Sequence, residues 1–400
     1  GTRANIIRFA VPPRVAKVER EQRLAASFAP GTTSPRLNEG VALGYRRIAA
    51  SYENAARLND ALASPRFQAF VFDPLPGVSE WERDVAWMVA RAVASSKPAV
   101  VTLPTMREVN DLLRALHAYG MTRFSPSANG LWSGDVAVLN AETMPAADRY
   151  RAYLAVALGQ SKVVIGTRAA SYAPVEGPAL FVIVDDAVYQ NMDGFMPYPQ
   201  ARGVMRLRAE SHQGVFVAVS NARSAVSQWE AVGPGTRQTP VSGFAQAIHP
   251  LASKVKDATP WVRWLNRDEL TRLTDPMPGA RVPHTAVSVL SKALHGGPVL
   301  LSIPTDDHAE TLSCATCRRQ ARCLRCTGPL QRVHEGTSAL PRCRWCGAAA
   351  VGWHCSACSG ERMRVVHVGA AGTATELTGL FRGVPVVISG KTHGLVEWVP

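Results

Sequence analysis

All eight cysteines of this 400-residue chain lie between Cys314 and Cys358, and they form four Cys-x-x-Cys pairs. The pairs are Cys314/Cys317, Cys323/Cys326, Cys343/Cys346 and Cys355/Cys358. A Cys-x-x-Cys turn lets two thiolates grip one metal ion, and a tetrahedral zinc site takes two such turns. Eight thiols so spaced specify two four-cysteine zinc sites. Four disulfides are the alternative, but no signal segment is evident and no cysteine lies outside this window, unlike a secreted disulfide scaffold. With four sulfurs and no open position, both sites would be structural.

The spacing also bears on which pairs share a metal. Sixteen residues separate the second pair from the third, the spacing of a zinc ribbon, whereas five separate the first from the second. That favours a nested arrangement. Cys323, Cys326, Cys343 and Cys346 would hold an inner zinc, and Cys314, Cys317, Cys355 and Cys358 an outer one. An interleaved cross-brace stays open on spacing alone.

Length predicts two domains beside the metal module. A hydrophobic content of 46% is enough to bury real cores, and a net charge of +13 points to a polyanionic partner. No apolar run reaches the roughly eighteen residues of a membrane span. The start at Gly1 without methionine, and the end at Pro400 after a strand-like run, read as a piece of a longer protein.

Residues 1–45 read as a linker, with Ile6–Val11 finishing a strand and Pro30–Pro35 as loop composition. A helix is expected over about 46–63. An alternation of strands and helices follows, the pattern of a parallel sheet. Strands are expected at Phe67–Phe72, Ala99–Leu103, Val136–Leu139, Lys162–Ile165 and Ala179–Val184, the last of the set. Helices are expected at Glu80–Ala94, Met106–Tyr119 and 145–159. Such an open α/β domain places ligands at the carboxyl ends of its strands. Trp81, Trp87 and Met88 read as core, and His354 is displaced as a ligand by four better sulfurs.

Those strand ends carry a resemblance. Val163-Val164-Ile165-Gly166-Thr167-Arg168, then Tyr172-Ala173-Pro174 and an apolar strand closing in Asp185, resembles the PriA family of bacterial replication-restart proteins. Tyr198-Pro199-Gln200-Ala201-Arg202, the four cysteine pairs, Gly328-Pro329-Leu330, Val368-Gly369, Thr373–Leu377 and Leu380–Gly383 continue it, over about residues 65–390. The resemblance implies an α/β fold of two RecA-like helicase-type lobes, with a small zinc-ribbon module inserted in the second. On that reading 1–45 is a linker from an upstream domain, 46–235 is lobe 1, 236–312 and 360–400 are lobe 2, and 313–359 is the zinc module. It also implies the nested pairing and two Zn2+ per chain.

Two departures stand out. A helicase of this type needs a phosphate loop, G-x-x-x-x-G-K-[ST], whose amides cradle phosphate and whose lysine neutralises it. Here the run is Asp73-Pro74-Leu75-Pro76-Gly77-Val78-Ser79, with no lysine, two prolines without amide protons, and Glu80 and Glu82 following. The acidic motif is Asp185-Asp186-Ala187-Val188 in place of Asp-Glu-Glu-His, and Val219-Ser220-Asn221-Ala222 stands where Gly-Ser-Ala-Thr is expected. Gly390-Lys391-Thr392 lacks the first glycine of a phosphate loop, since Pro385 holds that position, and reads as coincidence. ATP and Mg2+ in their usual mode are not expected.

The expectation is therefore a chain that recognises branched or single-stranded DNA through Arg318, Arg319, Arg322 and Arg325. Arg342, Arg344, Trp345 and Trp353 lie nearby, and Thr167 and Arg168 match a strand-touching motif. No catalytic residue is assigned; Asp185 and Asp186 mark the altered nucleotide motif. The resemblance implies primosome and helicase-loading partners, a cytoplasmic, nucleoid-associated setting, a monomer and no membrane. Two alternatives are an active 3′-to-5′ helicase using altered loops and a zinc scaffold for protein partners.

Overall fold

The computed structural model describes residues 10–26, 35–127, 130–140, 144–190, 200–232, 239–240, 243–276, 282–302, 310–332, 340–367, 370–388 and 397–399. Tyr198-Pro199, Val368-Gly369, Gly390-Lys391-Thr392 and the Ile6–Phe9 part of the first expected strand lie outside them. The chain forms two compact units, Gly1–Val262 and Arg263–Pro400.

The first unit is built on short apolar, largely β-branched runs buried on both faces, which only a sheet covered by helices on both sides can accommodate. Its strands are β1 (Gln68–Phe72), β2 (Ala99–Thr102), β5 (Val136–Leu139), β6 (Val163–Gly166), β7 (Leu180–Val184), β8 (Val215–Val219) and β9 (Gln246–Ile248), with the small hairpin strands β3 (Ser125–Pro126) and β4 (Trp132–Ser133) outside the sheet. The seven strands lie in the order β5-β6-β2-β7-β8-β1-β9, every pair parallel. Alternate residues divide between two cores. Phe70, Phe72, Val101 and Val182 face α2 (Pro35–Ser51), α3 (Ala55–Ala63), α4 (Glu80–Ala94) and α5 (Met106–His117). Val71, Val100, Val164 and Phe181 face α6 (Ala146–Ala157) and α7 (Ala201–Ser211). Trp87 and Met88 are fully buried in the first core.

Several boundaries differ from the sequence reading. The expected linker contains α1 (Ala16–Ala26), tied down where Arg151 of α6 meets Glu21 at 2.6 Å, and the start of α2. The expected helix over 46–63 is two, broken at Asn54 with φ 58°, a left-handed conformation that asparagine tolerates. The break lets Glu53 N–H bond the His249 carbonyl at 2.8 Å and Ser51 accept from Leu251 at 2.8 Å, which fastens the helices to the end of β9. Ala179–Val184 is not the last strand. Val215-Phe216-Val217-Ala218-Val219 enters between β7 and β1, and β9 on the far side of β1 carries the unit to Val262 instead of 235.

The buried face of α4 carries an acid. Asp84 is fully buried, accepts from the Tyr52 hydroxyl and pairs with Arg47 at 2.6 Å. Burial pushes its carboxyl up from 3.8 to about 6, against the pull of Arg47. A raised acid favours the folded state while protonated, so this contribution is present below about pH 4 and is lost as pH rises through about 6. The shift corresponds to about 3 kcal/mol. Denaturant titrations should show wild type losing that much between pH 4 and 7 relative to Asp84→Asn; parallel pH profiles would refute the assignment.

The first unit also contains α8 (Ala225–Ala231) and α9 (Ala252–Ala258), and the second opens with α10 (Arg267–Arg272) and α11 (His284–Leu294). Then come β10 (Glu310–Cys314), β11 (Leu330–Gln331), β12 (Arg342–Cys343) and β13 (Met363–His367), an antiparallel sheet in the order β12-β11-β10-β13. The unit closes with α12 (Ala370–Leu380) and the antiparallel pair β14 (Val386–Ile388) and β15 (Glu397–Val399). β10 and β13 pair over five residues, so the cysteine-bearing segment leaves and returns at one place.

Candidate metal centre and nucleic-acid interface

The four Cys-x-x-Cys segments fold into four copies of one turn. The residue after each second cysteine donates its N–H to the carbonyl of the first: Arg318 to Cys314 at 3.1 Å, Thr327 to Cys323 at 2.9 Å, Gly347 to Cys343 at 2.9 Å and Ser359 to Cys355 at 2.8 Å. All four donors have positive φ: 64° at Arg318, 60° at Thr327, 70° at Gly347 and 57° at Ser359. The first cysteine then donates its own N–H back, to the carbonyls of Arg319, Gly328, Ala348 and Gly360 at 2.8–2.9 Å. A chain that adopts the left-handed region at arginine, threonine and serine alike is held there by more than local preference.

The thiols converge in two sets. Cys314, Cys317, Cys355 and Cys358 form one, and Cys323, Cys326, Cys343 and Cys346 the other, with the sulfurs of each set within 4.8 Å of one another. Within each set the two turns meet at 3.5 Å for Cys314–Cys358, 3.5 Å for Cys317–Cys355, 3.8 Å for Cys323–Cys346 and 3.4 Å for Cys326–Cys343. A tetrahedral ion with 2.3 Å bonds to sulfur sets its ligands about 3.8 Å apart. All eight cysteines are free of disulfides, so each set could hold one metal ion. Amides draw down the thiol of the first cysteine in each turn. The Cys317 N–H first, then the Thr316 N–H, draw the Cys314 thiol down to about 6, and the Cys346 N–H draws Cys343 down to about 7. Two glycines permit the crossings: a Cβ on Gly328 would stand 2.8 Å from Cys343 Sγ, and one on Gly360 3.3 Å from Cys314 Sγ.

The charge of this module is one-sided. Residues 313–359 carry seven arginines and one glutamate, a net +6 out of the chain's +13. All seven arginines (Arg318, Arg319, Arg322, Arg325, Arg332, Arg342 and Arg344) are exposed. Arg322 and Arg342 each donate to a carbonyl of their own turn, Thr327 and Gly347. The two tryptophans separate. Trp353 is 6% exposed and donates its indole N–H to the Arg322 carbonyl at 2.8 Å, so it is module core. Trp345 is 67% exposed.

In the first unit the start of the loop after β1 is committed to the fold. Asp73 N–H is committed to the Ile248 carbonyl and Leu75 N–H to the Tyr52 hydroxyl, and Pro74 and Pro76 have none to offer. Arg223 grips Asp73 with two bonds, Nε to Oδ1 at 2.9 Å and Nη2 to Oδ2 at 2.7 Å, and His249 Nδ1 lies 2.7 Å from the same Oδ2. The cleft beside this loop, about 700 Å³, is thus lined by charges already engaged with each other. Asp185, at φ 50°, accepts from Ser220 at 3.0 Å, and burial raises its pKa. Asp186 points inward instead: it is 1% exposed, and its Oδ2 accepts from Arg202, Ser224 and Ser227. Thr167 and Arg168 lie at the carboxyl end of β6, half-buried, with Thr167 Oγ1 3.5 Å from Asn140 Oδ1.

Curated mycobacterial proteins, each named probable replication restart protein PriA, are similar to this chain. The Mycobacterium leprae protein is 32% identical over 392 residues, which is 97% of this chain and 56% of that protein. Those of Mycobacterium bovis and Mycobacterium tuberculosis are 32% identical over 391 residues, 97% of this chain and 55% of theirs. This is a PriA-like chain. It spans about half the length of the curated relatives it matches. No family model matches it. Among solved structures, the C-terminal domain of the DEAD-box protein Dbp5 aligns at 14% identity and a TM-score of 0.26, over 40% of this chain and 79% of that one.

The PriA-like match therefore reaches well before residue 65, where the motif resemblance begins. Sequence reasoning also missed the charged groups that hold the PriA-like motifs in place. Arg202 is 2% exposed and bridges Asp186 at 2.8 Å and Glu230 at 2.6 Å, while Arg206 one turn later meets Glu230 at 3.4 Å. The signal was there: both arginines share the helical face of Ala201, Met205 and Ala209, a stripe that is otherwise apolar. Nothing comparable in the sequence announced the Asp73–Arg223 pair, whose partners are 150 residues apart.

Proposed function

We propose that this chain is the DNA-recognising part of a replication-restart protein. Its module, stapled by two zinc ions, engages branched or single-stranded DNA and promotes reloading of the replicative helicase through primosome partners. The observation that carries this reading is the seven exposed arginines on and beside the four cysteine turns, with a single glutamate in the same stretch of sequence. Thiolate-only ligand sets of four suit zinc. Arginine forks suit phosphate oxygens, and a rigid turn spends little entropy in presenting them. The curated relatives' name supplies the replication-restart setting. On this reading the two units correspond to the two helicase-type lobes, and the loop at Asp73, engaged by Arg223 and His249, leaves the first without a phosphate cradle, so the chain works without ATP-driven unwinding.

The test is forked-DNA affinity against salt, with ATP turnover read on the same sample. Four arginine–phosphate contacts give a logarithmic salt slope of about −3, so affinity should fall roughly fiftyfold between 50 and 200 mM salt. Replacing Arg318, Arg319, Arg322 and Arg325 by glutamine should flatten that slope, with no turnover in either protein. Turnover abolished by Asp185→Ala would revive the active helicase. A flat slope in the unaltered chain would favour a scaffold for protein partners.

A further inference from the structure

The four metal turns share one backbone geometry, so what distinguishes them is the pair of residues between each two cysteines. The outer turns present Ala315-Thr316 and Ser356-Ala357, small and uncharged. The inner turns present Leu324-Arg325 and Arg344-Trp345, large, apolar and cationic. Two otherwise matched sites thus differ sharply at their tips.

Trp345 is built to be displayed. Its N–H bonds Cys343 Sγ at 3.4 Å, which ties its backbone to the metal turn. Its indole lies against Gly328, where a Cβ would stand 2.9 Å from ring atoms Cγ and Cδ2. Glycine at 328 is therefore what lets the ring lie down, while the side chain stays 67% exposed and Leu324 on the facing turn 53% exposed. A rigid, half-seated aromatic loses little freedom when something stacks on its open side. Flanking arginines select an anionic occupant, and every nucleobase offers a π-face between phosphates.

We propose that the inner turns form a base-stacking tip for single-stranded nucleic acid. Trp345 takes an unpaired base, Arg325 and Arg344 take the flanking phosphates, and the outer metal site serves only to hold the module together. This rests on the DNA-binding reading above and adds a contact that charge alone does not supply.

The test uses the whole 400-residue chain and fluorescence anisotropy with two labelled single strands of equal length, one normal and one abasic throughout. The unaltered chain should prefer the normal strand by about tenfold, the value of one stacked base. Trp345→Leu, which keeps an apolar cover over Gly328, should abolish that preference while leaving the abasic strand's affinity, its salt dependence and the metal content unchanged. Trp345→Phe should keep most of it, and Thr316→Ala on an outer turn all of it. No preference in the unaltered chain, or one that survives Trp345→Leu, overturns the proposal and assigns the exposed indole to a protein partner. A steep salt dependence with either result leaves the arginine–phosphate reading standing, whereas a flat one removes both.

Discussion

Chelating the metal from this chain is expected to unfold residues 310–367 and to leave the seven-stranded sheet of the first unit intact. The module has almost nothing else to fold around. Its buried cluster consists of Leu312, Ala321, Leu330 and Trp353 together with Cys314, Cys323, Cys343 and Cys355. Half of that core is metal-binding sulfur. A fully buried leucine contributes about 1.5–3 kcal/mol, whereas each structural zinc contributes about 10–16 kcal/mol of folding free energy. Hydrogen exchange reads the outcome at four amides, those of Arg318, Thr327, Gly347 and Ser359, each bonded to a first-cysteine carbonyl. Their protection should vanish with the metal, while amides of β1, β7 and β8 keep theirs. Protection that persists after the metal is gone would mean that the hydrogen-bonded turns, not the ions, hold the module. That result would also remove the rigidity on which a displayed Trp345 depends.

The metal module was legible because its chemistry is local. Cys-x-x-Cys fixes two ligands within one turn, and a chain of four such turns leaves few ways to pair them. Strand positions were nearly as plain where a run was apolar throughout, as at Val136–Leu139, which is β5 to the residue, and the amphipathic helix Glu80–Ala94 is α4. β8 escaped because Val219 was weighed as part of a motif and not as the end of Val215–Val219. The break at Asn54 escaped because its cause is remote, the backbone bonds from Ser51 and Glu53 to residues at the end of β9.

The same contrast governs the candidate sites. The missing lysine of the phosphate loop could be read directly from Asp73–Ser79, since it is an absence within one segment. What holds Asp73 could not. Arg223 and His249 reach it from the segments that follow β8 and β9, which sheet order alone makes neighbours of β1. Trp345 and Trp353 show the limit at close range: eight residues apart in one module, one is core and one is displayed. Hydrophobicity does not separate them; the glycine under Trp345 does, and its role appears only once the inner turns face each other.

Arg202→Met is expected to be the most damaging single substitution in the first unit. The arginine lies in a fully enclosed hub, bonded to Asp186, to Ser227 and through two nitrogens to Glu230, with its guanidinium 5.2 Å from the Phe216 ring centroid. Removing it takes the nearest cation from two buried carboxylates, leaving Asp186 its serine hydroxyls and Glu230 the longer 3.4 Å contact to Arg206, which costs about 3–5 kcal/mol. For a unit of this size that lowers the melting temperature by about 10 °C. Near-UV circular dichroism on heating measures it. Adding Asp186→Asn and Glu230→Gln should recover much of the loss, because the damage comes from unpaired charge and not from a missing contact. The pair of results also decides what Asp186 is for. If Arg202→Met melts like the unaltered chain, Asp186 is not held by the hub and its place in a nucleotide motif has to be reconsidered. If the loss and its recovery both appear, the second acid of the motif has become part of the core, and the sequence Asp185-Asp186 contains one acid facing the strand ends and one that serves the fold.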